Sequence, residues 1–153
     1  MKLKEILFVT GLIAGSSLMA GQPESDKLIT AAKQEAGEIA PKQLKEMLDA
    51  EKKVTVLDVR EGNQRAEGEI YASNMLAMTR GNLEFEVLNK IKDKNAVIVT
   101  YCRGGSRGAL AAQTLKKLGY INATNLKGGL KGWAEEGFPI ETGLGVTHLS
   151  KEQ

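Results

Sequence analysis

Residues 96–118 constrain the fold more tightly than any other stretch. Ala96-Val97-Ile98-Val99-Thr100-Tyr101 is a short apolar run with the character of a buried strand. It leads directly into Cys102-Arg103-Gly104-Gly105-Ser106-Arg107 and then into Gly108-Ala109-Leu110-Ala111-Ala112-Gln113-Thr114-Leu115, a helix-like segment. A strand, a glycine-bearing turn and a helix start in that order predict a sulfur at the mouth of a ring of free backbone N–H groups. Those groups and the positive end of the helix favour an anion. A thiolate is such an anion, so the segment predicts a reactive sulfur nucleophile rather than an inert core thiol.

Composition limits the alternatives. A chain of 153 residues, 42% hydrophobic and 26% charged, suits one soluble domain with its own core. The formal net charge of +2 is too small to argue for nucleic acid or an acidic membrane surface. Aromatics at 5% leave little for base stacking, so no nucleic-acid partner is expected. Residues 1–20 read as an export signal: Lys2 and Lys4 precede an apolar run from Ile6 to Ala14, Gly15-Ser16-Ser17 breaks it, and Ala20-Gly21 offers small residues for cleavage. Leu18 is the imperfect position in that pattern. The apolar run is short against the roughly 20 residues of a membrane span, so a cleaved signal and a periplasmic protein are expected. Cys102 is the only cysteine, so an exported chain holds no internal disulfide.

After the signal, residues 21–37 read as a polar, proline-bearing linker with a marginal helix near Lys27 to Glu38. Pro41 sits at a first helical position ahead of a helix over Lys42 to Ala50, whose apolar stripe is Leu44, Met47 and Leu48. Val54 to Val59 is a buried strand ending in the polar pair Asp58 and Arg60. Ile70 to Met78 is too weakly patterned to assign, and Leu83 to Ile91 reads as a helix. Arg107 to Leu118 is the best helix, with Ala111, Leu115 and Leu118 on one face and Gly119 as its stop. Ile121 to Leu126 is a third strand. Gly128-Gly129 then turns the chain into a short helix around Leu130 and Trp133, which Gly137-Phe138-Pro139 ends. Alternating strands and helices predict a parallel sheet covered on both faces.

Ligands of such sheets sit beyond the carboxyl ends of the strands. Asp58, Arg60 and the cysteine loop share one rim if their strands are neighbours. Asp58 and Arg60 then either reach that rim or form a strand-end ion pair that braces two loops. Arg103, beside the sulfur, is expected to meet substrate through its two-pronged guanidinium, and Arg107, entering the helix, to brace the loop. His148, the one histidine, lies in a tail that looks frayed, which leaves the thiol without a histidine base. No cluster of ligands suggests a metal, and no cofactor is expected. Attack by a preformed thiolate on a sulfur atom needs no base, only positive charge near the leaving anion.

These residues resemble the single-domain rhodanese family of sulfurtransferases. The resemblance runs from about Glu38 to Thr142, giving a domain at 38–142 and a C-terminal tail at 143–153. It rests on Leu57-Asp58-Val59-Arg60-Glu61, the loop Cys102 to Arg107 with its helix, and Leu126-Lys127-Gly128-Gly129-Leu130-Lys131-Gly132-Trp133 ahead of Gly137-Phe138-Pro139-Ile140. Arg80-Gly81-Asn82-Leu83-Glu84-Phe85 also looks like a segment of some members. The resemblance implies a rhodanese-like α/β fold, a five-stranded parallel sheet flanked by helices on both faces. It implies that Cys102 carries a sulfane sulfur as a persulfide, cradled by the backbone of Arg103, Gly104, Gly105, Ser106 and Arg107. Arg60 is counted among the substrate-binding candidates and Asp58 as a loop brace. The donor would be a small sulfur anion such as thiosulfate or polysulfide. The acceptor would be cyanide or a thiol, including that of a thioredoxin-like protein, and the chain is expected to be a monomer.

Two departures stand out. Members commonly carry Gly-His-Ile-Pro-Gly-Ala before the third strand, where this chain has Gly68-Glu69-Ile70-Tyr71-Ala72-Ser73. Gly104 stands third in the cysteine loop, where some thiosulfate-using members place a basic residue. The rival readings are a non-catalytic sulfur-binding or interaction module and a cysteine phosphatase or arsenate reductase. Those phosphatases have a cysteine-to-arginine loop one residue longer. Here four residues, Arg103 to Ser106, separate Cys102 from Arg107, a ring better sized for one sulfur atom than for a tetrahedral oxyanion.

Overall fold

The computed structural model describes residues 23–148. The expected signal at 1–20, its cleavage point and the tail residues 149–153 lie outside them. Five strands form one parallel sheet in the order β1-β5-β4-β2-β3: β1 (Glu38–Ile39), β2 (Thr55–Asp58), β3 (Met75–Ala77), β4 (Ile98–Tyr101) and β5 (Ala123–Leu126). The helices are α1 (Glu24–Ala36), α2 (Pro41–Asp49), α3 (Leu83–Lys90), α4 (Ser106–Lys117) and α5 (Gly129–Glu135). This is the expected α/β sheet with helices on both faces.

Strand alternation divides the core in two. Val56, Val99, Tyr101 and Leu126 face Leu44 of α2 and Leu130 and Trp133 of α5. Leu57 and Ile98 face Leu83 and Val87 of α3 and Ala111 and Leu115 of α4. Cys102 joins the second cluster, so it turns to the α3–α4 side while Tyr101 turns to the other. β2 and β4, the two clearest strand patterns, are central neighbours and place Asp58 opposite Tyr101.

Other elements differ from the sequence reading for local reasons. Glu24 and Ser25, read as linker, open α1 directly after Pro23. Its small residues Ala32 and Ala36 are buried, and α4 fastens it where Gln113 Nε2 donates to Glu35 Oε2 at 2.7 Å. The unassigned stretch contains β3, a three-residue, half-buried edge strand. Residues 140–147, partly read as tail, fold back as an antiparallel hairpin of β6 (Ile140–Thr142) and β7 (Gly145–Thr147). The His148 ring donates to the Gly137 carbonyl at 2.9 Å. Glu69 and Glu141 exchange backbone hydrogen bonds of 2.8 and 2.9 Å, so the hairpin buttresses the segment that lacks the family's histidine and proline.

A buried polar knot closes the carboxyl end of the sheet. Asp58 and Arg60 are both inaccessible to solvent. The Arg60 Nη2 group donates to Asp58 Oδ2 at 2.6 Å, and the Tyr101 hydroxyl donates to the same oxygen at 3.0 Å. The Arg60 guanidinium also lies 5.4 Å from the Tyr101 ring centre. Burial opposes the charge on Arg60, but its hydrogen bonds with Asp58 and that residue's charge outweigh it and raise the guanidinium pKa. Burial, reinforced by the Asp58 carboxylate, pushes the Tyr101 phenol well above its ordinary value.

That shift has a defined pH consequence. An unfolded tyrosine ionises near pH 10, whereas folded Tyr101 still holds its proton there. Its contribution to stability is present below about pH 10 and is lost as pH rises through the folded value, by up to about 1.4 kcal/mol per pH unit. In urea unfolding, Tyr101→Phe costs about 1–3 kcal/mol near pH 8 through the lost hydrogen bonds. That cost shrinks towards about pH 11; a cost constant across the range would contradict the assignment.

Candidate active site

The cysteine loop occupies the turn between β4 and α4, as the sequence predicts. Cys102 follows the last residue of β4 and is 2% exposed. Gly105 adopts φ 101°, a conformation open to glycine, and α4 begins at Ser106. The Gly105 N–H donates to Cys102 Sγ at 3.1 Å. The amides of Ser106, Arg107 and Gly108, in the first turn of α4, donate to no backbone carbonyl among the described residues.

The loop carbonyls are fastened from outside. The Leu130 N–H donates to the Cys102 carbonyl at 2.8 Å and the Lys131 N–H to the Arg103 carbonyl at 2.9 Å. These donors are orphan amides at the start of α5, so one helix end satisfies the outer side of the loop. Gly128-Gly129, which sequence reasoning treats only as a turn, makes this approach possible. Gly129 has φ +58°, and a Cβ there would stand 2.4 Å from the Cys102 carbonyl oxygen. The glycine pair was visible in the sequence, but nothing in the pattern linked it to the distant cysteine loop.

The arginines separate into different places. Arg60, expected among the substrate-binding residues, is fully buried and engaged with protein partners. Its Nε and Nη2 groups bond Asp58, Nη1 donates to the Gln64 carbonyl at 3.0 Å, and Nη2 reaches the Gly68 carbonyl at 2.8 Å. Strand parity sets this placement. Asp58 and Tyr101 share the α2–α5 face, whereas Cys102 belongs to the α3–α4 cluster. Asp58, expected as a loop brace, holds Arg60, which in turn holds the 3-10 turn Gly62–Glu67 by its backbone.

The same turn grips the cysteine loop with side chains. Arg107 Nη1 donates to Gln64 Oε1 at 2.8 Å, which ties the first turn of α4 to this segment. Arg103 Nε donates to Glu67 Oε2 at 3.2 Å. With its side chain 68% exposed, Arg103 is free to exchange this partner for a ligand. Gln64 and Glu67 carried no signal in the sequence, because they lie in an irregular polar loop whose placement depends on Arg60.

The rhodanese-like domain model matches residues 40–136, and the chain belongs to that family. The chain is 32% identical over 103 residues to a sulfurtransferase of Allochromatium vinosum, covering 67% of this chain and 92% of that protein. It is 30% identical over 98 residues to the probable adenylyltransferase/sulfurtransferase MoeZ of Mycobacterium tuberculosis, covering 64% of this chain but only 24% of that longer protein. Among solved structures it resembles the polysulfide-sulfur transferase homodimer of Wolinella succinogenes. That match has 31% identity and a TM-score of 0.66, over 75% of this chain and 85% of that one.

The close approach of α5 yields a direct test. Gly129→Ala adds a left-handed alanine and a clash with the Cys102 carbonyl, a cost of about 2–4 kcal/mol. Urea unfolding should show that loss. A variant within about 0.5 kcal/mol of wild type, the range of an ordinary surface change, would contradict the described packing.

Proposed function

We propose that the protein is a sulfurtransferase in which Cys102 carries the transferred sulfur as a persulfide. The Cys102 thiolate attacks the outer sulfur of thiosulfate or the terminal region of a polysulfide. One S–S bond forms as another breaks, and sulfite or a shortened polysulfide leaves with the electron pair. Cyanide or a thiolate then takes the terminal sulfur and returns Cys102 to its thiolate. Neither step needs a histidine base or a metal, since no proton must be removed in the attack.

The observation that carries this reading is the Gly105 N–H donating to Cys102 Sγ inside a loop whose carbonyls are tied outward. Such a donor stabilises negative charge on sulfur. The named sulfurtransferase relative and the polysulfide-sulfur transferase neighbour support the same class and make polysulfide a fitting donor. The Arg103 guanidinium, exposed and carried by the residue next to Cys102, is our candidate to meet an anionic donor or leaving group.

Cys102→Ser tests the nucleophile, because a hydroxyl is similar in size but stays protonated. Thiocyanate formation from a sulfane donor and cyanide should fall to background while the unfolding midpoint stays close to wild type. Undiminished thiocyanate from the serine variant would refute the role of Cys102. We also propose that residues 1–20 direct export to the periplasm and are removed there. N-terminal sequencing from the native host should read from near Gly21; an intact Met1 on the soluble protein would contradict it.

A further inference from the structure

We infer that Asn125 is a positioning residue for sulfur transfer, holding Gly105 so that its N–H meets the sulfur on Cys102. The inference rests on the reading of Cys102 as sulfur carrier and adds to it a residue outside the cysteine loop. Asn125 is the third residue of β5 and is fully buried. Its Nδ2 group donates to the Gly105 carbonyl at 3.1 Å and to Glu38 Oε1, on β1, at 2.7 Å. Gly105 is also the residue whose N–H reaches Cys102 Sγ. A chain of contacts therefore runs from the sheet edge at Glu38, through Asn125 and Gly105, to the sulfur.

Structural need alone accounts poorly for an amide at this position. The Gly105 carbonyl already accepts the first helical bond of α4, from the Ala109 N–H at 3.0 Å. Asn125 Oδ1 is buried with no hydrogen-bond partner. A buried orphan acceptor lowers stability, and an apolar residue would avoid it. α4 also gives way to this amide: a Cβ on Gly108 would lie 2.3 Å from Asn125 Oδ1. What the amide supplies is a second, sideways donor on the Gly105 carbonyl. It fixes the loop at its helix end, while the Leu130 and Lys131 amides fix it at its strand end. The peptide between Gly104 and Gly105, which carries the N–H to sulfur, hangs between those two anchors.

The test separates positioning from folding. Asn125→Asp keeps the shape but loses both donated bonds and sets a carboxylate against Glu38, so it should lower stability as well as activity. Adding Glu38→Gln removes the like-charge contact and supplies a donor to the introduced carboxylate, which should restore the unfolding midpoint. The Gly105 carbonyl still faces an acceptor in that double variant. We expect kcat/KM for thiocyanate formation to stay about 10- to 100-fold below wild type, the scale of one misaligned donor to a reacting anion. Alkylation of Cys102 by iodoacetamide at one fixed pH should slow in both variants, because the Gly105 N–H no longer meets the sulfur squarely.

A double variant with wild-type stability, wild-type kcat/KM and a wild-type alkylation rate would overturn the inference and leave Asn125 as packing. Failure of the underlying reading looks different. Wild-type protein would then transfer no sulfur at all, while the alkylation rates would still report whether Asn125 sets the Gly105 N–H on Cys102.

Discussion

Everything distinctive about this site depends on which way the peptides of the cysteine loop point. A trans peptide holds its N–H and C=O in opposite directions. When the α5 amides of Leu130 and Lys131 draw the Cys102 and Arg103 carbonyls outward, the following N–H groups are forced to face away from α5. The Gly105 N–H completes the arrangement by meeting the sulfur at 3.1 Å. The polarity of the site is thus a backbone property, set by a helix start that lies more than twenty residues further along the chain. The loop's side chains serve its rim.

The rim depends in turn on the buried Asp58–Arg60 pair. Two desolvated charges are costly unless nearly every polar atom is satisfied, and removing one partner of such a pair typically costs about 3–5 kcal/mol. Here Arg60 meets the carboxylate and two backbone carbonyls, while Tyr101 meets the carboxylate from the neighbouring strand. The pair fixes the turn at 62–67, and that turn presents Gln64 to Arg107 and Glu67 to Arg103. A buried ion pair on one face of the sheet therefore sets the positions of arginines around a sulfur on the other. Arg60 and Arg107 are thereby engaged with protein partners, while Arg103 stays largely exposed.

The fold was legible where the chain is periodic. β2 and β4 are short, largely apolar runs, α4 carries a clean stripe, and the turn at Cys102 announces itself through its glycines. The elements without a signal are those whose order comes from tertiary contact. β1 is two residues long, β3 is a half-buried edge, and the hairpin at 140–147 forms against Glu69. The site divides in the same way. Cys102 and its loop follow from local sequence, but the separation of Arg60 from the sulfur follows from strand parity between β2 and β4. Asn125 left one faint trace, a polar side chain in the middle of a buried strand, and only the approach of α4 and β1 gives it meaning.

We propose that this backbone cradle carries one sulfur atom on Cys102. Intact mass of the purified protein, before and after exposure to polysulfide or thiosulfate, tests that most directly. The expected result is a gain of one sulfur atom, located by fragmentation at Cys102 and discharged by cyanide. A protein that gains no sulfur, or one whose added sulfur cyanide does not remove, would contradict it.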